Sequence, residues 1–160
     1  MNPAIDPVSF RQLMGRFATG VTVITTTSPD GSLSGMTVNS FNSVSLDPPL
    51  VSICVDRCAD MHATLTGPAG FVVNILNSDQ ESISRRFAEN RPDRFNSIGY
   101  HLSSDGHPII DGVLAHVECT VHESIDAGDH SVVLGRVVGG SSGEGYPLLF
   151  YRGGYGLEGT

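Results

Sequence analysis

The sequence predicts a mainly β protein, an antiparallel barrel with peripheral helices, and three observations predict it. Val, Ile and Thr fill the apolar runs, while 19 glycines and 9 prolines divide the 160-residue chain into short segments. Such a mixture reads as short strands joined by tight turns. The order is a helix, several strands, two short helical insertions and then more strands, which is not the regular alternation of a parallel βαβ sheet. Hydrophobic residues make up 39% and charged residues 16% of the chain, unlike the composition of disordered segments. One domain spanning residues 1–160 is expected, large enough to bury about 70% of the surface its unfolded form exposes.

Asp6 followed by Pro7 is an N-cap and first helical residue, and Phe10, Leu13, Met14 and Phe17 then recur at helical spacing until Gly20. Val21 to Thr27 is β-branched throughout, Ser28-Pro29-Asp30-Gly31 supplies turn chemistry, and Leu33 to Val38 completes a hairpin. Leu50 to Val55 and Phe71 to Leu76 are short apolar runs suited to buried strands. Ser78 with Glu81 resembles a capping box, opening a helix to Asn90 that buries Ile83 and Phe87 beneath Arg85 and Arg86. Arg91 to Ile110 is polar and interrupted by Pro92, Gly99, Gly106 and Pro108, which predicts a long surface loop. Gly112 to Ile125 and Ser131 to Val138, joined by a turn at Asp126 to Asp129, predict a second long hairpin, and Pro147 to Arg152 the last strand.

Nine basic against 17 acidic residues leave a net charge of −8, which excludes a strongly basic nucleic-acid binder. Every basic residue is arginine, so each positive charge is a planar fork able to grip phosphate or carboxylate with two hydrogen bonds. Met1 to Phe10 carries no basic start or apolar run, and no stretch approaches the roughly 20 apolar residues that span a bilayer. A soluble cytoplasmic protein is expected. Three cysteines, Cys54, Cys58 and Cys119, are an odd number and too few for a disulfide framework, so they read as reduced thiols.

Several segments bear chemistry. Gly35 to Ser43 presents small hydroxyl and amide groups at every second or third position, suited to a planar heteroaromatic ring or simply to a polar edge strand entering a turn. Cys54, Cys58 and His62 fall at intervals of four, but Cys54 belongs to an apolar strand, so the three do not converge as metal ligands and no metal is expected. Arg57 and Cys58, just past that strand, are placed to meet a ligand at a barrel rim. Gly139 to Gly145 leads into a strand rather than a helix, so it lacks the helix N-terminus that a dinucleotide fingerprint requires and reads as a flexible hairpin tip. His130, after Gly128-Asp129, is either a ligand-facing imidazole or an exposed turn residue. Arg152, beside Phe150, Tyr151, Gly153 and Tyr155, either clamps a phosphate or ring or ends a strand.

In order and spacing these segments resemble the short-chain flavin reductase family, the reductase components of two-component flavin-dependent monooxygenases. The resemblance runs from Phe10-Arg11-Gln12-Leu13-Met14-Gly15-Arg16-Phe17 to Pro147-Leu148-Leu149-Phe150-Tyr151-Arg152-Gly153, and is most specific at Asn39-Ser40-Phe41, Ser45-Leu46-Asp47-Pro48-Pro49, Phe71-Val72-Val73-Asn74-Ile75-Leu76 and Gly128-Asp129-His130. It implies a split β-barrel, a homodimer, and hydride transfer from NADH or NADPH to FAD or FMN, with the reduced flavin passed to a partner monooxygenase. It places Met36, Thr37, Val38, Asn39, Ser40, Asn42 and Ser43 along the isoalloxazine and ribityl chain, and Asp56, Arg57, Cys58, Ala63 and Thr64 at the phosphate end. Phe87 and Ala88 would cover another part of the flavin; His130, in the catalytic role, and Phe150, Tyr151, Arg152 and Gly153 would meet the nicotinamide nucleotide. The family often carries other residues where this chain has Val38, Asn39 and Cys58. A flavin-binding or pyridoxamine-phosphate-oxidase-like split barrel shares the architecture and is the competing reading, with a purely structural interaction domain a third.

Overall fold

The computed structural model describes residues 4–67 and 69–159. Asp6 caps the first helix as its sequence requires: its Oδ1 accepts the Val8 and Ser9 amides, each at 3.0 Å. Helix α1 runs from Pro7–Met14 and stops at Gly15, so Phe17 lies beyond it, and the apolar side chains at Phe10, Leu13, Met14 and Phe17 are exposed rather than set against the core.

The strands are β1 (Thr19–Gly20), β2 (Thr22–Thr27), β3 (Leu33–Val38), β4 (Asn42–Leu46), β5 (Pro49–Asp56), β6 (Gly70–Ile75), β7 (Tyr100–Leu102), β8 (Pro108–Ile110), β9 (Ala115–Ala127), β10 (His130–Ser142), β11 (Leu149–Tyr151) and β12 (Gly154–Tyr155). Helix α2 (His62–Thr66) follows β5, and α3 (Glu81–Ala88) follows β6. A seven-stranded sheet has the order β3-β2-β6-β9-β10-β5-β4, with β3 and β4 as its open edges, and every pairing in it is antiparallel. The predicted first hairpin forms with Thr22 opposite Val38 and Thr27 opposite Leu33.

The unbroken β-branched run of β2 has a physical reason: both faces of the strand are covered. Ile24 joins Ile53, Val55, Phe71, Val73 and Val133 in one core cluster, while its neighbour Val23 joins Leu76, Phe87, Ile110 and Leu148 in another. A strand buried on both sides has no polar face to alternate. Its threonines satisfy their hydroxyls on backbone carbonyls: Thr22 on Val38, Thr26 on Gly70 and Thr27 on Gly106, each at 2.7 Å, and Thr25 on Pro108.

Four expectations need correction. The capping box at Ser78 does not form: Gln80 occupies the N-cap position, its Oε1 accepts the Asn77 amide, and Asn77 Oδ1 accepts the Ser78 amide. The segment 91–110 is not a plain surface loop, because β7 and β8 pair within it and Pro108, Ile109 and Ile110 are buried against β2 and β6. Short polar residues masked a buried insertion there. The second hairpin is longer than its apolar pattern, 13 residues in each strand. Gly139 to Ser142 is therefore paired strand, not hairpin tip, and a register shift between Val137 and Gly139 accommodates the small residues.

His107 ties the buried insertion to β2 through its ring, with Nδ1 accepting the Thr27 amide at 3.1 Å. Burial lowers its pKa, outweighing the opposing influence of Asp105 and Glu118. The folded state thus favours the neutral ring, so its contribution to stability is full above the ordinary histidine value of 6.5 and declines as the pH falls below it. The urea midpoint of the wild type should fall more steeply from pH 7 to pH 5 than that of His107→Gln. Parallel curves for the two proteins would remove this role.

Candidate active site

Three open clefts adjoin through shared residues. The first, of about 270 Å³, sits where β3, the turn after β5 and helix α3 meet. Six of the residues expected to hold flavin line it: Met36, Thr37, Asp56, Cys58, Phe87 and Ala88. Their convergence follows from the fold. Thr37 anchors α3 to β3 by donating its hydroxyl to the Ser84 carbonyl at 2.6 Å. Gly35 lets the two elements close up, because a Cβ at that position would stand 2.6 Å from Phe87 Cε1. Asp56 Oδ1 accepts the Cys58 amide at 2.7 Å, which fixes the turn on the facing wall.

The same cleft includes Ala59, Asp60, Met61 and Asn90, which the sequence does not assign to it, and one of the arginines that the sequence places in or beside the site segments (Arg57, Arg85, Arg86, Arg94 and Arg152), namely Arg94. Its guanidinium reaches across to β3, donating to the Gly35 carbonyl at 3.0 Å and to the Glu89 carbonyl at 2.7 Å. Carbonyls accept its hydrogen bonds without neutralising its charge, so a cation stands at the cleft wall.

Other expected residues lie nearby but are otherwise engaged. Val38 is buried in the core and offers the site only its backbone, with its carbonyl accepting from Thr22. Asn39 is exposed at the end of β3. Ser40 Oγ accepts the Cys54 amide at 2.9 Å, joining the 39–41 corner to β5. Asn42 and Ser43 are exposed on edge strand β4, and Asn42 Nδ2 donates to the Ser40 carbonyl at 3.2 Å. Arg57 turns away from the cleft to pair with Asp126 at 3.0 Å. Ala63 and Thr64 lie on α2, one turn past the cleft-lining segment 59–61.

His130 opens β10, directly opposite Asp56 in the β5–β10 register. The turn before it is a two-residue loop in which Gly128 adopts a φ of 67°. Asp129 Oδ1 lies 2.7 Å from His130 Nδ1, a contact that holds the Asp129 carboxyl below its ordinary range and assigns the proton to Nδ1. The ring is half exposed, and the contact to Asp129 engages Nδ1.

The second cleft, of about 560 Å³, shares Ala88 with the first and is lined by Phe150, Gly153, Gly154, Tyr155, Arg85 and the carboxylates of Glu81, in α3, and Glu89, just past its end. Tyr155 organises it: its hydroxyl meets Ser84 Oγ at 2.8 Å, Arg85 lies 4.8 Å above its ring, and Phe150 meets it edge-on at 5.4 Å. Tyr151 is half-buried in β11 beside it. The third cleft, of about 860 Å³, shares Gly153 with the second and includes Arg152.

Among the described residues no three His, Cys, Asp or Glu side chains gather as a metal site. Cys54 stays in β5, Cys58 in the cleft turn, and His62 Nε2 is held by Ser131 Oγ at 2.9 Å. Burial pushes the Cys119 thiol up to about 12, so it is no nucleophile at neutral pH. The arrangement offers apolar and aromatic surface from Met36, Phe87, Phe150 and Tyr155 beside the guanidinium groups of Arg85 and Arg94, which suits the stacking of flat molecules. No helix among the described residues is long and apolar enough to cross a membrane.

Comparison with known proteins agrees with that chemistry. A family profile described as flavin reductase like domain matches residues 14–157. A flavin reductase of Pseudomonas putida is 45% identical over 154 residues, covering 96% of this chain and 91% of the relative. The flavin-dependent monooxygenase reductase subunit HsaB of Mycobacterium tuberculosis is 42% identical over 162 residues, covering 99% and 86%. The crystal structure of a Streptomyces globisporus C-1027 NADH:FAD oxidoreductase, in complex with NAD and FAD fragments, superimposes with a TM-score of 0.90 at 39% identity, covering 97% of this chain and 96% of that one. Two relatives from Rhizobium meliloti are longer, and the chain spans 65% and 48% of their lengths.

Proposed function

This chain belongs to the flavin reductase like domain family, and from that membership we propose that it transfers hydride from NADH to FAD or FMN and supplies reduced flavin to a partner monooxygenase. The observation that carries the reading is the convergence of Met36, Thr37, Asp56, Cys58, Phe87 and Ala88 on one cleft that opens into a second built on Phe150 and Tyr155. The residues suit a flavin. Strand β3 is a sheet edge, so part of its backbone remains available to the polar rim of a ring, while Met36 and Phe87 offer apolar surface to its face.

Bound flavin and bound NADH supply the reactive atoms, so the chain needs neither a nucleophile nor a metal of its own. Its task is to stack the two rings and hold them close. Backbone amides from Val38 to Ser40 stabilise negative charge at the flavin edge. Asp56 and Cys58 line the wall toward the flavin phosphate, and Arg94, rather than the ion-paired Arg57, provides the positive charge there. His130, its tautomer set by Asp129, orients the nicotinamide nucleotide through Nε2.

We read the open seven-stranded sheet, with β3 and β4 at its two edges, as a split barrel. The exposed apolar residues of α1, together with Leu46 at 97% exposure, support a homodimer; a monomer by light scattering at micromolar concentration would remove that part. The four pairings of NADH or NADPH with FAD or FMN test the function. Rapid flavin-dependent loss of NADH absorbance is the expected result, and a bound yellow chromophore that NADH leaves unbleached points instead to a flavin-binding barrel. In stopped-flow reduction, His130→Ala should slow hydride transfer or weaken NADH binding by about tenfold or more. Wild-type values for both would end its role.

A further inference from the structure

A fourth cleft, of about 250 Å³, lies beside the first and is nearly its size. The two share Asp60, Met61, Asn90 and Arg94, whereas the fourth has no residue in common with the second or the third. It thus continues the first cleft and not the Phe150 and Tyr155 cleft. Its own walls are Leu33 and Ser34, from edge strand β3, and Pro92 and Phe95, from the segment after α3. The family resemblance assigns none of these four to a cofactor, and the function proposed above leaves them unused.

Arg94 stands at the junction. Its Nε, Nη1 and Nη2 each donate one hydrogen bond, to the Glu89 carbonyl, the Gly35 carbonyl and Asn90 Oδ1. A guanidinium has five N–H groups, so three are engaged and two remain. Among the described residues no carboxylate lies within ion-pair distance of it. An uncompensated cation with open donors, shared by two clefts, suits a diphosphate lying across their boundary.

The wall beyond Arg94 is built before any ligand arrives. Arg86 donates to the Asp93 and Arg94 carbonyls at 2.9 and 2.8 Å. Arg91 grips Asp93 with two bonds, of 2.6 and 2.8 Å, which neutralises its charge within the wall. Phe95 is held edge-on between Phe87 and Tyr100. Leu33, Pro92 and Phe95 therefore present apolar surface at fixed positions, which lowers the cost of ordering a ligand against them. Asp60 and Ser34 add hydrogen-bond acceptors beside that surface. Such a pocket matches a flat, apolar-faced group that carries amine and hydroxyl donors at its edge, as adenosine does.

FMN ends at its phosphate. FAD continues from that phosphate into a second phosphate, a ribose and adenine. On the reductase reading above, on which this inference rests, the flavin phosphate lies toward Arg94 in the first cleft, so whatever follows the phosphate meets the fourth. We propose that the fourth cleft binds the adenosine end of FAD, with Arg94 on the diphosphate and Asp60 accepting from the adenosine, and that it makes this chain select FAD over FMN. The segment after α3 thereby sets which flavin is reduced, a choice that the family resemblance leaves open.

The test is calorimetric titration of FAD and of FMN into the intact protein. In the wild type FAD should bind about tenfold or more tightly than FMN. Ser34→Trp places a ring in the fourth cleft; it should raise the Kd for FAD about tenfold and leave that for FMN within about twofold. Retained FMN binding then shows that the variant is folded. Pro92→Glu changes an exposed position and sets a carboxylate at the same cleft, so it should weaken FAD selectively as well, and it decides the matter should Ser34→Trp fail to fold. Equal affinity of the wild type for the two flavins overturns the proposal. So does FAD affinity unchanged in both variants, or an equal loss of both flavins in a Pro92→Glu protein whose circular dichroism is that of the wild type. These titrations contain no NADH. A protein that prefers FAD in them yet leaves NADH unoxidised keeps the adenosine site and loses the reductase reading, whereas one that oxidises NADH but binds FAD and FMN equally keeps the reading and loses the site.

Discussion

Phe87→Ala is expected to lower the unfolding free energy by about 3 to 5 kcal/mol, the range for removing a fully buried aromatic ring. The ring is 1% exposed and meets Phe95 edge-on, centroids 5.0 Å apart, and Phe95 in turn meets Tyr100 at 5.5 Å. Its loss would therefore loosen α3 and the 91–100 segment together, and with them the Arg94 contact to β3. Flavin affinity should fall with stability, because Phe87 forms both core and cleft wall. Urea unfolding followed by far-ultraviolet circular dichroism, with flavin binding measured well below the midpoint, separates the two effects. Gly35 provides an internal control. Gly35→Ala alone places a methyl against the Phe87 ring and should cost about 1 to 3 kcal/mol. Within Phe87→Ala the same methyl enters vacated space, so the two changes should be clearly non-additive. Simple additivity would show that the close approach does not set the helix position.

Asn74→Leu should cost about 3 kcal/mol or more, although leucine suits the apolar run around it. Asn74 is fully buried in β6; its Nδ2 donates to the Val23 carbonyl at 3.0 Å and to Thr25 Oγ1 at 2.9 Å, and its Oδ1 accepts the Ile110 amide at 2.8 Å. Leucine would leave the Ile110 amide buried without a partner and remove a bond from each of two acceptors, at about 1 to 3 kcal/mol for each group left unsatisfied. The unfolding free energy from urea titration checks this, and a value within 1 kcal/mol of wild type would show that the insertion is held by packing alone.

These two residues also show what the sequence discloses. Phe87 is legible because its spacing from Ile83 marks a helix face, and a large apolar residue on such a face must find cover. The hairpin of β2 and β3 is legible for a similar reason, since turn residues separate a β-branched run from a second strand of similar length. Asn74 stands out as a polar residue in an apolar run, but nothing local tells that its partner is Ile110, 36 residues away. The Ser78 capping pattern is matched in letters and unused in space, because Gln80 caps the preceding turn by a different route. Half of the first cleft was readable from β3, the turn after β5 and α3. Asn90 enters it only through the path of a polar segment, and of the arginines that the sequence places beside the site Arg94 reaches this cleft while Arg57 is drawn off by Asp126.

The length of β10 bears on how the molecule avoids its own kind. From His130 to Arg136 the strand is paired on both sides, with β5 and β9, but from Val137 onward only β9 accompanies it. That stretch is an uncovered row of amides and carbonyls of the sort that recruits a foreign strand. Here it contains Gly139, Gly140, Ser141 and Ser142, is thrown out of register just before them, and takes a φ of 150° at Gly140. Beyond the exposed Val138, a straight incoming strand would find neither a regular ladder nor apolar side chains to grip. The glycines that look from sequence like slack in a turn act as a guard against edge-to-edge aggregation.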